Sequence, residues 1–517
     1  MDKFNLINNI IKKESGKGVK ILLYLETYFL NVINESIFER VEYIFLNSNY
    51  LANLLPLPNL KELGISSTKD EQDELLTRHI SEIPSIPKHL DTLSINFTSN
   101  IWRGTNRIDS ITNYFKGHSI GELSLSGPKT ESTNSQKNVK VNHWEIFDSF
   151  DKLRSLQKLH LSNLYITPGS IKDLLVKSEC LVTLSVEKLF YASIDKSISS
   201  EVLEGLSESK TITDVSLYYI SVQLNELVNM LNSNKTVKRI SCYQIVVVEN
   251  TKYIVNDTIE NLNFSMTPIE NRFNISKLWK TPSNLKAITI TSDDSNIDYI
   301  LQCHKKCYFL SLMLKDTTIQ QIVNIINSKP PFLHNLELVA VSYTKINYSP
   351  IFQSLLNNHT LTSINFKKDF PIDDIISLIQ LNHPTIRTIQ CEVINGFNQV
   401  GLFNSLISNP TLENIYFYSY RYNVNQPTNP DLIKIQIIEY FTLFTKLLNT
   451  NERIINIAIP GPRLSNRENW INILSPELIN NFKSVIKKHS ETLCFVSLPG
   501  ENVELKHYLR HYLINEY

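Results

Sequence analysis

Apolar residues recur along this chain in a six-residue pattern whose first, fourth and sixth positions are apolar. From Leu181 to Leu412 successive copies begin 22 to 31 residues apart, a range too narrow to arise by chance. This regular spacing indicates an internal repeat. The sixteen copies begin at Leu60, Leu90, Ile120, Leu156, Leu181, Ile212, Val237, Ile259, Leu285, Cys307, Leu333, Leu361, Ile386, Leu412, Ile454 and Leu493.

Each copy predicts a short strand, because side chains alternate along a strand and the fourth and sixth positions then share one face. Between copies the apolar residues recur at three and four, as in 350–356 and 372–379, which predicts helices. An Asn-containing turn such as Asn358 or Asn409 follows each helix. We interpret that Asn as adopting the left-handed conformation that ends a helix. The predicted unit is strand, loop, helix and turn.

A single unit cannot bury its apolar face alone, so neighbouring units are expected to stack with their strands in one parallel sheet. The unit resembles the leucine-rich repeat of the ribonuclease-inhibitor-like class, clearly over residues 59–420 and weakly over 450–500. The resemblance implies an α/β leucine-rich-repeat-like solenoid, a horseshoe of about 16 irregular strand–helix units with the parallel sheet on its concave face.

The sequence departs from that family at one position. The family carries Asn or Cys three residues after the sixth position, where it satisfies loop backbone groups. Here the Asn ladder is missing, which predicts irregular repeats. The position holds Thr68, Thr98, Leu164, Leu189, Ile245, Asp293, Asp369 and Ile394.

The repeat divides the chain into three predicted regions. Residues 1–58 are expected to form an N-terminal helical cap, with a possible degenerate first repeat at Ile44 and Leu46 and a buried helix over 19–33. Residues 59–420 form the solenoid. Residues 421–517 are expected to hold irregular C-terminal repeats and a cap, which begin with a helix over 432–448.

Composition narrows the function classes. Lys+Arg and Asp+Glu both number 51, so the chain lacks the basic excess typical of nucleic-acid-binding proteins. The most hydrophobic stretch, 19–33, is too short to span a bilayer and contains Glu26. The six cysteines are scattered, which favours reduced thiols and a cytoplasmic location. No nucleic-acid partner and no membrane span are therefore expected.

Two motifs partly match known ligand-binding motifs, but each lacks residues that the binding of its ligand requires. Gly16-Lys17-Gly18 has neither the first glycine nor the hydroxyl residue of a phosphate-binding loop. Cys303-His304-x-x-Cys307 has no second ligand pair nearby for zinc, and we interpret both thiols as core residues. No nucleophile–base arrangement follows a known motif. We expect no catalytic, metal or cofactor site, and therefore no enzyme.

The fifth position of each strand should point into the hollow of the solenoid. It is mostly small and polar, as at Gly64, Ser94, Ser124 and Ser216, and this central row lacks the aromatic anchors of tight interfaces. Two interpretations remain open. The row either binds a partner with modest affinity, or its small side chains allow the strands to pack under strong curvature.

One segment departs from that polar row. Its alternating tyrosines should share one face of a strand while Phe417 turns inward. Tyrosine offers a large contact area at low entropic cost, so the segment predicts a partner-binding site. The alternative is that the following loop or the C-terminal helix covers it. The residues of this predicted site are Tyr416, Tyr418, Tyr420, Arg421 and Tyr422.

These features predict a non-catalytic scaffold or recognition protein that presents an extended surface to a protein partner. One alternative is an F-box-like substrate receptor of a ubiquitin ligase, in which residues 1–58 bind an adaptor. Another is a leucine-rich-repeat regulator of a GTPase or of actin. Neither the identity of the partner nor the oligomeric state follows from the residues.

Overall fold

A computed structural model provides the coordinates of the protein. It describes residues 22–25, 42–47, 59–66, 87–96, 119–127, 155–166, 168–191, 197–247, 252–264, 275–290, 301–314, 319–340, 347–367, 370, 372–393, 399–419, 430–459, 473–497 and 509.

Short strands alternate with helices through most of this part of the chain. The strands are β1 Leu22–Leu25, β2 Tyr43–Asn47, β3 Glu62–Ser66, β4 His89–Asn96, β5 Ser119–Ser126, β6 Lys158–Ser162, β7 Tyr165–Ile166, β8 Thr183–Glu187, β9 Phe190–Tyr191, β10 Asp214–Gln223, β11 Arg239–Val246, β12 Asn261–Phe264, β13 Ala287–Ile290, β14 Phe309–Leu314, β15 Asn335–Ala340, β16 Ser363–Lys367, β17 Thr388–Val393, β18 Asn414–Ser419, β19 Asn456–Ala458 and β20 Phe495–Ser497. The helices are α1 Ser170–Lys177, α2 Ile198–Glu208, α3 Leu224–Ser233, α4 Ile319–Ser328, α5 Ser349–Leu356, α6 Ile372–Gln380, α7 Gln399–Ser408, α8 Pro430–Thr450 and α9 Pro476–Lys488, with a 3₁₀ turn at Ile275–Leu278.

The chain forms two compact units. The first comprises residues 1–267 and 278–281, and the second comprises residues 268–277 and 282–517. The first holds a ten-stranded sheet in the order β1-β2-β3-β4-β5-β6-β8-β10-β11-β12, with β7 and β9 paired beside it. The second holds an eight-stranded sheet that runs from β13 to β20 in chain order. The fourth position of each of the sixteen predicted copies lies on a strand of these sheets, which confirms an α/β repeat solenoid.

The apolar fourth and sixth positions build the core of each unit, as predicted. In β5 these are Leu123 and Leu125, both fully buried, and they pair in register with Leu159 and Leu161 of β6. The pairing of neighbouring strands is parallel, so each apolar position stacks on its equivalent in the next repeat and the core is continuous along the unit.

The N-terminal region contributes strands to the first sheet. Strand β2 includes Ile44, which is buried and pairs with Leu63 of β3. Strand β1 pairs with β2 in turn. The helix predicted over 19–33 is therefore wrong at Leu22–Leu25, where a strand extends the parallel sheet. The other residues of the predicted helical cap lie outside the described ones.

Asparagine side chains form a ladder in the turn before the strands, three residues ahead of the first apolar position. Asn234 donates through Nδ2 to the carbonyl oxygen of Leu206 at 2.6 Å and accepts the backbone N–H of Val237 at 2.8 Å. Each such side chain ties one helix end to the next turn. Asn256, Asn358 and Asn409 repeat both bonds, and Asn451 repeats the bond to the helix of the preceding repeat, at Leu406 of α7.

This ladder corrects our interpretation of the turn. The φ angle of Asn234 is −88°, so its role is to satisfy backbone groups and not to adopt a left-handed conformation. Asn382, with φ of 50°, does take that conformation. The position at which the family carries Asn is occupied by other residues, and the ladder runs through the preceding turn instead.

The helices predicted over 350–356, 372–379 and 432–448 are present as α5, α6 and α8.

Among the helices that the structure describes, none has the length and apolar character needed to cross a membrane.

Candidate interaction surface

The fifth positions of the strands form one continuous row in each unit, as the repeat predicts. In the second unit this row passes through Ser311, Glu337, Asn365, Gln390 and Tyr416, each in register with the next. In the first unit the row is made mostly of serines. Its members are Phe45, Gly64, Ser94, Ser124, His160, Ser185, Ser216, Ser241 and Asn263.

The glycine in this row has a packing role. The ring of Phe45 on β2 lies over Gly64 on β3, and any Cβ at Gly64 would collide with it. A shallow depression of about 300 Å³ beside this contact is lined by Ser94, Asn96 and Ser124 among others. Close packing between neighbouring strands therefore accounts for the small residue at this position.

A buried carboxylate organises the row in the second unit. Glu337 is 8% exposed and accepts hydrogen bonds from the Ser311 hydroxyl at 2.7 Å and the Asn365 amide at 2.9 Å. The ammonium group of Lys367 lies 3.1 Å from the same carboxylate. Because a buried charge is costly unless it is paired, these contacts explain how a glutamate is tolerated here.

Tyr416 and Tyr418 stand on the side of β18 opposite to the core. Their rings are parallel, with 3° between the planes and 6.5 Å between centroids, and Phe495 lies 6.4 Å from Tyr416. Phe417 between them is buried at 2% exposure, whereas Tyr418 is 42% exposed. Partial burial and the adjacent Tyr418 raise the pKa of Tyr416 above its ordinary value. The alternation predicted for this segment therefore holds over 416–418.

The remaining residues of the predicted site, Tyr420, Arg421 and Tyr422, lie outside the described residues. Whether they extend the aromatic surface stays a prediction.

Cys303, His304 and Cys307 are all buried in the second unit. His304 occupies the ladder position, with Nε2 donating to the Ser276 carbonyl at 3.1 Å and Nδ1 lying 2.5 Å from the Ser283 hydroxyl. Burial raises the pKa of the Cys307 thiol to about 12. Within the described ranges no group of three or more His, Cys, Asp and Glu side chains has the arrangement of a metal site.

A second aromatic cluster was missed by the sequence analysis. In the first unit, Tyr219 lies 5.7 Å from Tyr243 between ring centroids, and the Lys188 ammonium lies 4.6 Å from the Tyr219 ring centre. Tyr218 and Tyr219 are 45% and 54% exposed. These tyrosines follow the sixth position of β10, where the hexamer pattern ends, so the pattern could not assign them a face.

Comparisons with known proteins add two distant structural similarities. A leucine-rich repeat-containing protein, LegL7 from Legionella pneumophila, is 13% identical with a TM-score of 0.32, covering 68% of this chain and 97% of that one. A structure of the Rad7 and Elc1 complex in yeast contains a chain that is 14% identical with a TM-score of 0.31, covering 74% of this chain and 82% of that one. At these scores neither similarity bears on function. No family model and no curated protein matches the chain.

Proposed function

We propose that this protein is a non-catalytic interaction scaffold that binds a protein partner through the open face of the parallel sheet in its second unit. The observation that carries the proposal is the Tyr416–Tyr418 pair. Two parallel aromatic rings stand on the face away from the core, and Tyr418 keeps 42% of its surface exposed although Phe417 beside it is buried. Exposed tyrosines on a rigid strand are suited to anchoring a protein interface.

The polar residues beside these rings support the same function. Gln390 and Glu392 on β17 pair in register with Tyr416 and Tyr418. An aromatic anchor bordered by polar groups matches the usual anatomy of a protein–protein interface. The balance of 51 basic and 51 acidic residues favours a protein partner over a nucleic acid.

The proposal also includes the class of the repeat, the cellular location and the role of residues 1–58. The alternation of strand and helix, which is clearest from β14 to β20, supports the ribonuclease-inhibitor-like class of leucine-rich repeat. Six free cysteines fit a reducing compartment, and we therefore place the protein in the cytoplasm. Strands β1 and β2 extend the first sheet, which supports a first-repeat role for that part of residues 1–58 over an F-box-like adaptor module.

The test is affinity capture from the native cytosol with the full-length chain and with Tyr418→Ala. Loss of a hot-spot tyrosine should lower recovery of the specific partner by about tenfold or more. Tyr308→Ala is the matched control, because Tyr308 belongs to the same unit and is also 42% exposed. Both variants should melt at the wild-type temperature.

Equal recovery by the wild type and Tyr418→Ala would contradict a binding role for this surface. A large fall in melting temperature for Tyr418→Ala would instead make its ring part of the core.

A further inference from the structure

Strand β10 carries an irregularity beside β11 that places aromatic rings on the surface of the first unit. The register between β10 and β11 shifts between Leu217 and Ser221, so that three residues of β10 stand opposite one residue of β11, Tyr243. These three are Tyr218, Tyr219 and Ile220. Such bulges re-aim side chains and are frequent next to functional sites. Here the bulge turns Ile220 into the core and leaves both tyrosines about half exposed.

The backbone at this bulge adopts a conformation that does not suit a tyrosine. Tyr219 has a φ of 59°, and Lys188, at the same position of the preceding repeat, has a φ of 48°. Residues with a Cβ other than Asn and Asp rarely adopt this left-handed region. The equivalent position two repeats before Tyr219 holds Asn163, with a φ of 53°. The turn itself therefore accepts Asn, and packing of the turn gives no reason for a large aromatic residue.

The four side chains form one surface of defined chemistry. The Lys188 ammonium lies over one ring, Tyr219 contacts Tyr243, and Tyr218 is exposed beside them. An ammonium group and three phenol hydroxyls offer hydrogen-bond donors, while the rings offer apolar area. The neighbouring carboxylate of Glu187 accepts the Ser162 hydroxyl at 3.4 Å.

We propose that the surface formed by Lys188, Tyr218, Tyr219 and Tyr243 binds an acidic segment of a partner protein. A carboxylate of that segment pairs with Lys188, and its apolar side chains pack on the tyrosines. The inference rests on the proposed scaffold function and adds a second surface with a stated partner chemistry. A single-stranded nucleic acid is disfavoured, because it needs several cations along its backbone, whereas the four side chains of this surface include one cation, Lys188.

The test measures fluorescence anisotropy of labelled probes with the full-length chain. Three peptides of twelve residues share two leucines and differ in carrying four glutamates, four glutamines or four lysines; labelled oligouridine is the fourth probe. The glutamate peptide should bind about tenfold tighter than the glutamine peptide, and the lysine peptide should bind weakest. Tyr219→Asn and Lys188→Gln should each weaken binding of the glutamate peptide about tenfold. Tyr308→Ala, in the second unit and outside both proposed surfaces, should leave it unchanged.

The melting temperature of each variant distinguishes a loss of binding from a loss of folding. Tyr219→Asn installs the residue that the equivalent turn already contains, so its melting temperature should equal or exceed that of the wild type. The inference is overturned if the glutamate peptide has no advantage, or if oligouridine binds tighter and depends on Tyr219. It is also overturned if Tyr219→Asn melts lower and Lys188→Gln binds normally. If Tyr418→Ala does not change partner capture, the proposed function is contradicted, whereas the proposal for this surface is not affected.

Discussion

The side-chain oxygen of Asn409 accepts a hydrogen bond of 2.9 Å from the backbone N–H of Leu412, the first apolar residue of its repeat. The same side chain donates to the Ile379 carbonyl oxygen at 2.8 Å and also accepts the N–H of Thr411. One buried amide thereby satisfies backbone groups of two successive repeats. Because buried polar groups without partners are costly, the ladder is a major reason why neighbouring repeats stay in register.

Replacing Asn409 with Ala should therefore destabilise the second unit by about 3 kcal/mol, since two N–H groups and one carbonyl would lose their partner. Equilibrium urea unfolding gives the free energy. Asn404→Ala is the control, because Asn404 is exposed on α7 and its loss should change stability by less than about 0.5 kcal/mol. Equal unfolding midpoints for the two variants would refute the structural role of the ladder.

His383 holds the ladder position between Asn358 and Asn409, and its hydrogen bonds require a neutral ring. Nε2 lies 2.7 Å from the Leu355 carbonyl, so it carries the proton. Nδ1 lies 3.3 Å from the backbone nitrogens of Thr385 and Ile386, both donors, so it must be unprotonated. Burial lowers the pKa of His383 below its ordinary 6.5, and His359, whose ring centroid is 6.1 Å away, lowers it further.

Stability should therefore depend on pH in a defined direction. Because the folded pKa lies below the unfolded one, the unfolded state binds the proton more tightly. The stabilisation is present above pH 6.5 and is lost as the pH falls below that value. His383→Asn should flatten this part of the profile, measured as melting temperature from pH 8 to pH 5. Asn409→His should steepen it, and parallel profiles for the wild type and His383→Asn would exclude the mechanism.

The strand register could be predicted from the sequence because one pattern satisfies two requirements at once. Positions such as Leu123 and Leu125 must face the core of their own repeat and also stack on Leu159 and Leu161, so the hexamer fixes both. The ladder could not be predicted in the same way. Asparagine is abundant in turns for several reasons, and only the bonds of Asn234 to two repeats distinguish its role.

The candidate surfaces were predicted less completely for a related reason. Tyr416 and Tyr418 lie within the hexamer and its immediate extension, where alternation assigns a face. Tyr219 lies inside a bulge, which interrupts the alternation at a place that the sequence does not mark. The strand β1 was likewise predicted as part of a helix, because a short apolar run suits either element.

Phe417 and Tyr418 provide a test of the faces of β18. Phe417→Ala should destabilise the second unit by about 3–5 kcal/mol, because it removes a buried aromatic ring and leaves a cavity. Tyr418→Ala should cost less than about 1 kcal/mol, because its ring is 42% exposed. Urea unfolding monitored by circular dichroism measures both. Similar losses in the two variants would mean that the tyrosine is covered in solution.

The cysteines should divide into reactive and protected groups. Burial raises the pKa of the Cys242 and Cys307 thiols to about 12 and that of Cys391 still higher, so these sulfurs are protonated as well as inaccessible at pH 8. Cys180 and Cys494 are partly exposed. Because the thiolate is the reactive form, only these two should react quickly with a thiol reagent in the folded protein.

Titration with an aromatic disulfide reagent at pH 8 measures this division. The native protein should release about two equivalents within minutes, and the protein in guanidinium chloride should release six, one for each cysteine. The double variant Cys180→Ser and Cys494→Ser should lose the fast phase and keep its melting temperature. A fast phase that persists in this variant would contradict the burial of the four remaining thiols, those of Cys242, Cys303, Cys307 and Cys391.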